Sequence, residues 1–322
     1  MKTMIKFFFK FFLGISLFSF AYANTWPDKG VRIIVPFPAG GATDVPARIL
    51  AEKLSKIWRQ PVIIENKTGA GGAIGAAEAA RSPADGYTLF FPSGSVMTVN
   101  QFIYPKLGYD PEKDFKPITN FVTAPLVVVV PQKSQFITLE SLINFGQKNP
   151  SKLTFAHAGI GSQSHLANEL FLQRAKFDAT GVPYKGDPPA VADLIGGLVD
   201  YSVISLGASL PHIRSGKLKA LAVTSKDEIP QLPGIKPVAI TIPNYENMGW
   251  FGLVAPAGVP QAIVNKIYES TQIAIKDPQL RAQLEGPGFR IVGNTPDQLA
   301  EAMATERKRW EVVVKERNLR QN

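Results

Sequence analysis

Residues 31–44 read VRIIVPFPAGGATD and predict a buried strand that turns directly into a helix. The first five residues are apolar except for Arg32, which is typical of a strand covered on both faces. Two glycines then make a turn, after which Thr43 or Asp44 can cap a helix. Pro46 falls in the opening turn of that helix, where its missing N–H group costs little. The stretch is therefore one strand-to-helix junction of an α/β protein.

A second stretch of the same kind, LTFAHAGIGSQSH, occupies residues 153–165. Ser162 is the predicted helix cap, and Leu166, Leu170 and Phe171 form the apolar stripe of the helix that follows. Loops at the carboxyl ends of parallel strands are where open α/β sheets bind ligands. One junction in each of two domains therefore predicts a ligand-binding cleft.

Length and composition fit two such domains. The chain has 322 residues, of which 45% are hydrophobic and 19% charged, so it can bury a large core and exceeds the usual size of one domain. A helical stripe of apolar residues lies within residues 50–58, and further short apolar runs occur at residues 61–64, 87–91, 126–130 and 219–224. This alternation predicts an α/β fold with mostly parallel sheets.

Cysteine is absent, and only three histidines occur, His157, His165 and His212. No disulfide, thiolate metal site, iron–sulfur cluster or catalytic thiol is therefore available. The histidines lack the i, i+4 spacing of a helical metal site. The glycine-rich residues 69–75 lack the full dinucleotide fingerprint, and we interpret them as a tight turn with close helix packing. We expect no metal and no cofactor.

Residues 1–23 predict a cleavable secretory signal. The segment begins with three lysines and continues with an apolar run from Phe11 to Phe20. It ends with the small-x-small sequence Ala21-Tyr22-Ala23. The apolar run is too short to span a membrane. We expect cleavage near Ala23/Asn24 and export to the periplasm.

The formal net charge of +9 includes the three lysines of this signal. The densest basic cluster lies within residues 307–320 and is interleaved with glutamates, which is typical of a solvated helix face rather than a nucleic-acid patch. We expect no nucleic-acid partner and a monomeric chain.

Each junction offers hydrogen-bond donors to an anion. Free N–H groups at a helix N-terminus attract negative charge, and neither junction contains Lys or Arg between the strand and the cap. Charge-assisted hydrogen bonds contribute about 1.5–3 kcal/mol each, so two or three can hold a carboxylate without an ion pair. One junction alone fits an ordinary glycine turn better, and it is the matching pair that favours a ligand site.

Signatures of common enzymes are absent, including the G-x-S-x-G elbow and the G-x-x-x-x-G-K-[ST] loop. The alternative to a receptor is a periplasmic hydrolase that uses Ser162 or Ser164 with His165 in the same cleft. A serine and a histidine on one helix turn lack the placed acid of a triad. The sequence leaves open whether His165 contacts a ligand or only the neighbouring backbone.

Seven motifs occur in the order found in a known family. They are residues 36–48, residues 65–75, Asp85-Gly86-Tyr87-Thr88-Leu89, residues 159–169, Val182-Pro183-Tyr184-Lys185-Gly186, residues 193–197 and residues 216–223. With these motifs the mature chain resembles the Bug-type extracytoplasmic solute-binding proteins associated with tripartite tricarboxylate transporters. The resemblance implies a receptor rather than an enzyme, with a two-domain, type II-like periplasmic binding-protein fold and an interdomain cleft.

The resemblance also implies the domain division and the binding residues. Domain 1 comprises residues 24–122 and 250–322, and domain 2 comprises residues 123–249, with a hinge near residues 121–126 and 248–252. Loops 38–43 and 158–165 bind a carboxylate through backbone and hydroxyl groups. The candidate ligand-binding residues are Phe37, Pro38, Ala39, Gly40, Gly41, Ala42, Thr43, Asp44, Ser93, Ser95, Ala158, Gly159, Gly161, Ser162, Ser164, His165, Tyr184, Lys185, Gly186, Ile204 and Ser205.

The chain departs from the family pattern at two places. Ile204 and Ser205 stand where many members have an acidic residue and an amide, so we expect no partner for a ligand amine there. Asp187 replaces a small residue and is expected to be a solvated loop acid, with a contact at the cleft mouth as the alternative. The departure at Ile204 and Ser205 favours dicarboxylates, tricarboxylates or aromatic acids over amino acids as ligands, delivered to a membrane transporter or a sensor. An inward-facing Asp187 would instead restore an acidic partner for an amine.

Overall fold

The computed structural model describes residues 26–321. The predicted signal and its cleavage site near Ala23/Asn24 lie outside the described residues. The strands are β1 (Val31–Val35), β2 (Val62–Asn66), β3 (Thr88–Phe90), β4 (Phe115–Pro131), β5 (Leu153–His157), β6 (Ala179–Pro183), β7 (Ser202–Ser205), β8 (Leu218–Val223), β9 (Met248–Pro256) and β10 (Arg290–Ile291).

The helices alternate with these strands. They are α1 (Asp44–Trp58), α2 (Ala73–Ala80), α3 (Gly94–Thr98), α4 (Asn100–Ile103), α5 (Leu139–Lys148), α6 (Gln163–Ala175), α7 (Asp187–Gly196), α8 (Leu206–Arg214), α9 (Gln261–Ala274), α10 (Pro278–Glu285) and α11 (Pro296–Glu316). No helix within residues 26–321 combines the length and the apolar character needed to cross a membrane.

Two lobes share one long sheet. Strands run in the order β10-β4-β9-β3-β1-β2 in the first lobe, and β7 and β8 pair with the second half of β4 in the other lobe. The pairs β1–β2, β1–β3 and β5–β6 are parallel, whereas every pair described for β4 and β9 is antiparallel. The α/β class is confirmed, but the sheets are mixed rather than mostly parallel because two strands cross between the lobes in opposite directions.

The predicted apolar stripes form the cores of the two lobes. Leu50 and Leu54 of α1 are buried against β1 in the first lobe, and Leu166 and Phe171 of α6 are buried in the second. Burying such a side chain is worth about 1.5–3 kcal/mol. Each junction is therefore anchored by a helix that its own lobe holds firmly.

Three segments join the lobes. The crossings of β4 and β9 lie side by side, with Val122 opposite Phe251 and Ala124 opposite Gly249, at the predicted hinge. The C-terminal helix α11 is the third connection, since Met303 packs in the first lobe while Trp310 packs in the core of the second. The end of α11 therefore packs with the second lobe, although the expected division assigns residues 250–322 to the first.

Candidate functional site

The two junctions face each other across one cavity. The predicted binding residues that line it are Phe37, Pro38, Gly41, Ala42, Thr43, Ser93, Ala158, Ser162, Ser164, Gly186 and Ser205. The remaining lining residues are Ala124, Leu126, Gln163, Asp187, Gly249 and Phe251. Each lobe thus contributes one junction to the cavity, and the crossing strands form its floor.

The first junction is held by the buried carboxylate of Asp44, the first residue of α1. Its Oδ2 accepts hydrogen bonds from the Gly40 amide at 2.9 Å and from Arg48 Nε at 2.8 Å. Its Oδ1 accepts one from Asn66 Nδ2 at 2.8 Å. Burial raises the pKa of Asp44, but these hydrogen bonds outweigh it and hold the pKa below its usual value. An ionised carboxylate therefore fixes this loop.

No side chain caps α1, so the expected cap at Thr43 or Asp44 does not form. Thr43 occupies the N-cap position without a capping hydrogen bond from its side chain, and Asp44 binds the Gly40 amide instead. The amides of Gly41, Asp44 and Val45 are used within the loop, whereas those of Ala42 and Thr43 are not. The first junction thus presents backbone N–H groups to the cavity.

The second junction is held by hydroxyl groups. Ser162 Oγ accepts a hydrogen bond from the His165 amide at 3.2 Å and caps α6 as predicted. Ser164 Oγ accepts one from the Ala158 amide at 2.9 Å. Each hydroxyl accepts from the backbone and keeps a proton, and one of the two protons bridges the oxygens, which lie 3.4 Å apart. Because both serines line the cavity, the pair can donate to a bound anion.

His165 supports this loop from behind and does not line the cavity. Its Nδ1 accepts a hydrogen bond from the Gly161 amide at 3.3 Å, and its Nε2 lies 3.9 Å from Glu169 Oε1. Burial, with the nearby His157, lowers the pKa of His165 to about 3. The imidazole is therefore neutral at physiological pH, and it positions Gly161 rather than a ligand.

Several predicted site residues lie away from the cavity. They are Ala39, Gly40, Asp44, Ser95, Gly159, Gly161, His165, Tyr184, Lys185 and Ile204. The Tyr184 hydroxyl donates to Asp193 Oδ2 at 2.7 Å within the second lobe. The Ile204 side chain is fully buried in that lobe's core. The Ile204 side chain therefore belongs to the core and not to the cavity wall.

For Asp187 the structure favours the alternative, a contact at the cleft, over a solvated loop acid. Some of the residue remains exposed, but its carboxyl lines the cavity, and Ser205 Oγ donates to its Oδ2 at 3.1 Å. Burial raises the pKa of Asp187 to about 6, against hydrogen bonds from Ser205 and the Ala42 amide that lower it. Gly186 followed by Pro188-Pro189 is a helix-start signal that could have placed Asp187 in the first turn of α7.

The floor residues were also missed, although a sequence signal exists for them. Ala124 and Leu126 on β4, and Gly249 and Phe251 on β9, are spaced by two and so project from the same face of a strand. Together with Phe37 they give the cavity an apolar wall. Its lining includes no Lys, Arg or His, so a bound anion would be held by neutral donors.

The lobes touch each other beside the cavity. The Tyr104 hydroxyl of the first lobe donates to the Ile160 carbonyl of the second at 2.7 Å. Gly161 has φ +77°, and a Cβ atom there would lie 2.6 Å from Asn100 Oδ1 of the first lobe. The second junction loop therefore needs glycine both for its backbone conformation and for contact with the opposite lobe.

Comparison with known proteins gives consistent results. Residues 46–319 match the family described as "Tripartite tricarboxylate transporter family receptor". The chain is 38% identical to Protein BugT of Bordetella pertussis over 296 residues, 91% of each chain. Its fold is similar to that of the periplasmic binding protein BugD, with a TM-score of 0.87, 32% identity and coverage of 92% and 100% of the two chains.

A further similar structure is that of Rpa4515 from R. palustris with adipate. Its TM-score to this chain is 0.88 at 32% identity, with coverage of 91% of this chain and 98% of the other. The lobes, the crossings and the cavity between them thus belong to an architecture shared with known solute-binding proteins.

Proposed function

Because the chain belongs to the tripartite tricarboxylate transporter family of receptors, a periplasmic solute-binding family, we propose that it captures a small carboxylate in the interlobe cavity and delivers it to a membrane transporter of that type. One observation carries the proposal: neutral donors from both junctions line the same cavity. These are the Thr43 amide, which makes no hydrogen bond within its loop, and the hydroxyls of Ser162 and Ser164. Donors of this kind stabilise a carboxylate without an opposing cation.

The protein is a solute-binding receptor and not an enzyme, in keeping with its family and its structural neighbours. The geometry also removes support from the hydrolase alternative. Both ring nitrogens of His165 are directed at other groups, Gly161 and Glu169. The imidazole therefore cannot take a proton from Ser162 or Ser164 in this arrangement.

The ligand, the partner and the mature form are further parts of the proposal. A cavity lined by neutral donors and an apolar floor suits a small organic acid, and the similar protein Rpa4515 is described with adipate. The apolar floor would accommodate a short methylene chain or a ring. Cleavage near Ala23/Asn24 would release a monomeric receptor that presents its ligand to a transporter, or to a sensor as the second candidate.

Calorimetry with an acid and its methyl ester tests the carboxylate. We expect the free acid of the tightest-binding ligand, with adipate as the first probe, to bind at least 100-fold more tightly than the ester, since the ester loses two charge-assisted hydrogen bonds. Ser162→Ala and Ser164→Ala should weaken binding of the acid. Ser215→Ala, an exposed serine outside the cavity, is the control. Equal affinity for acid and ester would overturn the proposal.

A further inference from the structure

Resting on the proposed carboxylate function, we infer that Asp187 selects the ligand, and that the cavity takes a carboxylate which also carries a positively charged nitrogen. Asp187 is the partner of that nitrogen. The inference reverses the preference for plain acids that followed from Ile204.

The position of Asp187 supports this role. It is the first residue of α7, on the second lobe, and its carboxyl faces the same cavity as the serines of the second junction. Ser205 Oγ donates to Oδ2 at 3.1 Å, and the Ala42 amide of the first lobe is a second donor. A carboxylate has about four acceptor positions, so two remain for a ligand.

The charges around the cavity point to a cation. Among the described residues that line it, within 26–321, Asp187 is the one ionisable side chain, with no Lys, Arg or His. With a pKa raised to about 6 by burial, the carboxyl is ionised at pH 8 without an ionic partner. A charge on a half-buried carboxyl of this kind is unfavourable until a cation joins it.

The same charge disfavours a plain dicarboxylate. Two carboxylates in one low-dielectric site repel each other, and one of them must then take up a proton. A ligand with one carboxylate and one ammonium group avoids this conflict, because the amides and hydroxyls of the junctions hold the carboxylate while Asp187 holds the ammonium. The apolar floor, with Leu126 and Phe251, then contacts the rest of the ligand.

Calorimetry at pH 8 with matched pairs of acids tests the inference. The pairs are glutarate and glutamate, adipate and 2-aminoadipate, and 3-phenylpropionate and phenylalanine, which differ only by the α-ammonium group. We expect the amino member of at least one pair to bind tenfold or more tightly than its partner. Asp187→Asn should weaken the binding of that amino acid at least tenfold. The affinity for the plain acid should stay unchanged or increase.

Asp193→Asn is the matched control, since it is the same change on the same helix at an acid that binds Tyr184. This variant should bind the two members of each pair in the same order of affinity as the wild type. Tighter binding of the plain acid in every pair, including binding with proton uptake by Asp187, overturns the inference, as does an unchanged preference in Asp187→Asn.

The acid and ester comparison separates this failure from failure of the proposed function. If plain acids bind tightly and their esters do not, the proposed carboxylate receptor is supported and only the proposed role of Asp187 is wrong. If no acid of either set binds, or if esters bind equally well, both are wrong.

Discussion

The two strand-to-helix junctions have similar sequences, yet different chemistry holds each in place. An ionised carboxylate fixes the first, where Asp44 accepts hydrogen bonds from Gly40, Arg48 and Asn66. Neutral groups fix the second, where Ser162 and Ser164 accept from the backbone. A strand, a glycine turn and a helix thus suffice to place donors at a cavity, while the groups that hold the loop can vary.

This difference also decides what each junction offers to a ligand. The first leaves the Thr43 amide free because the Asp44 carboxylate holds the loop from outside the cavity. The second offers the serine hydroxyls themselves, which hold the loop and face the ligand together. Removing the carboxylate of Asp44 should therefore act mainly on stability, whereas removing a serine hydroxyl should act on stability and binding at once.

The largest expected effect is the loss of the Asp44 carboxylate. Asp44→Ala leaves the Gly40 amide and Asn66 without their acceptor and separates Arg48 from its partner. We expect the free energy of unfolding to fall by about 3 kcal/mol, measured by chemical denaturation. Asp193→Asn, in the second lobe, is a control expected to cost about 1 kcal/mol. A loss of under about 1 kcal/mol for Asp44→Ala would show that charge does not hold the first loop.

Substituting valine for one glycine in each junction separates effects on ligand binding from effects on folding. A Cβ atom at Gly41 would meet only the Pro38 carbonyl, at 3.3 Å, so Gly41→Val should fill the cavity yet fold. We expect its ligand affinity to fall at least 100-fold, about 2.7 kcal/mol, with a Tm close to that of the wild type. Gly161→Val should lose both binding and stability because its φ is +77° and Asn100 lies in the way. Normal binding by Gly41→Val would place the ligand elsewhere.

Much of this comparison could be predicted from sequence because it is local. The apolar runs located β1, β5, α1 and α6, and the Ser162 cap followed from its own loop. The two junction sequences also showed that hydrogen-bond donors would be present there without a Lys or Arg.

The rest depends on contacts between distant parts of the chain. Asp187 faces inward because Ser205 and the Ala42 amide of the other lobe meet it. Ile204 points into a core that exists only once β7 pairs with β4. No pattern within either segment contains that information. The sequence alone therefore could not show that the Asp187 carboxyl faces the cavity or that the Ile204 side chain faces the core.

Acid titration separates the two junctions by their charge. The pKa of Asp44 is lowered by folding, so its contribution to stability is present above the unfolded pKa near 3.8 and is lost as the pH falls through the folded pKa. We expect Asp44→Asn to reduce the acid dependence of unfolding below about pH 4, by at most about 1.4 kcal/mol per pH unit. Ser164→Ala, in the neutral junction, should leave the slope unchanged. Identical slopes for wild type and Asp44→Asn would contradict a pKa of Asp44 that folding lowers.

The smallest expected effect compares equivalent hydroxyls, those of Thr43 and Ser162. Both residues occupy N-cap positions and both line the cavity, but only the Ser162 hydroxyl accepts a hydrogen bond from its helix, from the His165 amide. Ser162→Ala should therefore cost about 1 kcal/mol of stability, together with about tenfold in ligand affinity for one lost donor. Thr43→Val keeps the side-chain shape and removes a hydroxyl that caps nothing, so we expect a cost under about 0.5 kcal/mol. Denaturation and calorimetry on both variants measure the two quantities. If Thr43→Val costs as much stability as Ser162→Ala, the first junction is also held by its hydroxyl, and the contrast between a charged and a neutral loop is wrong.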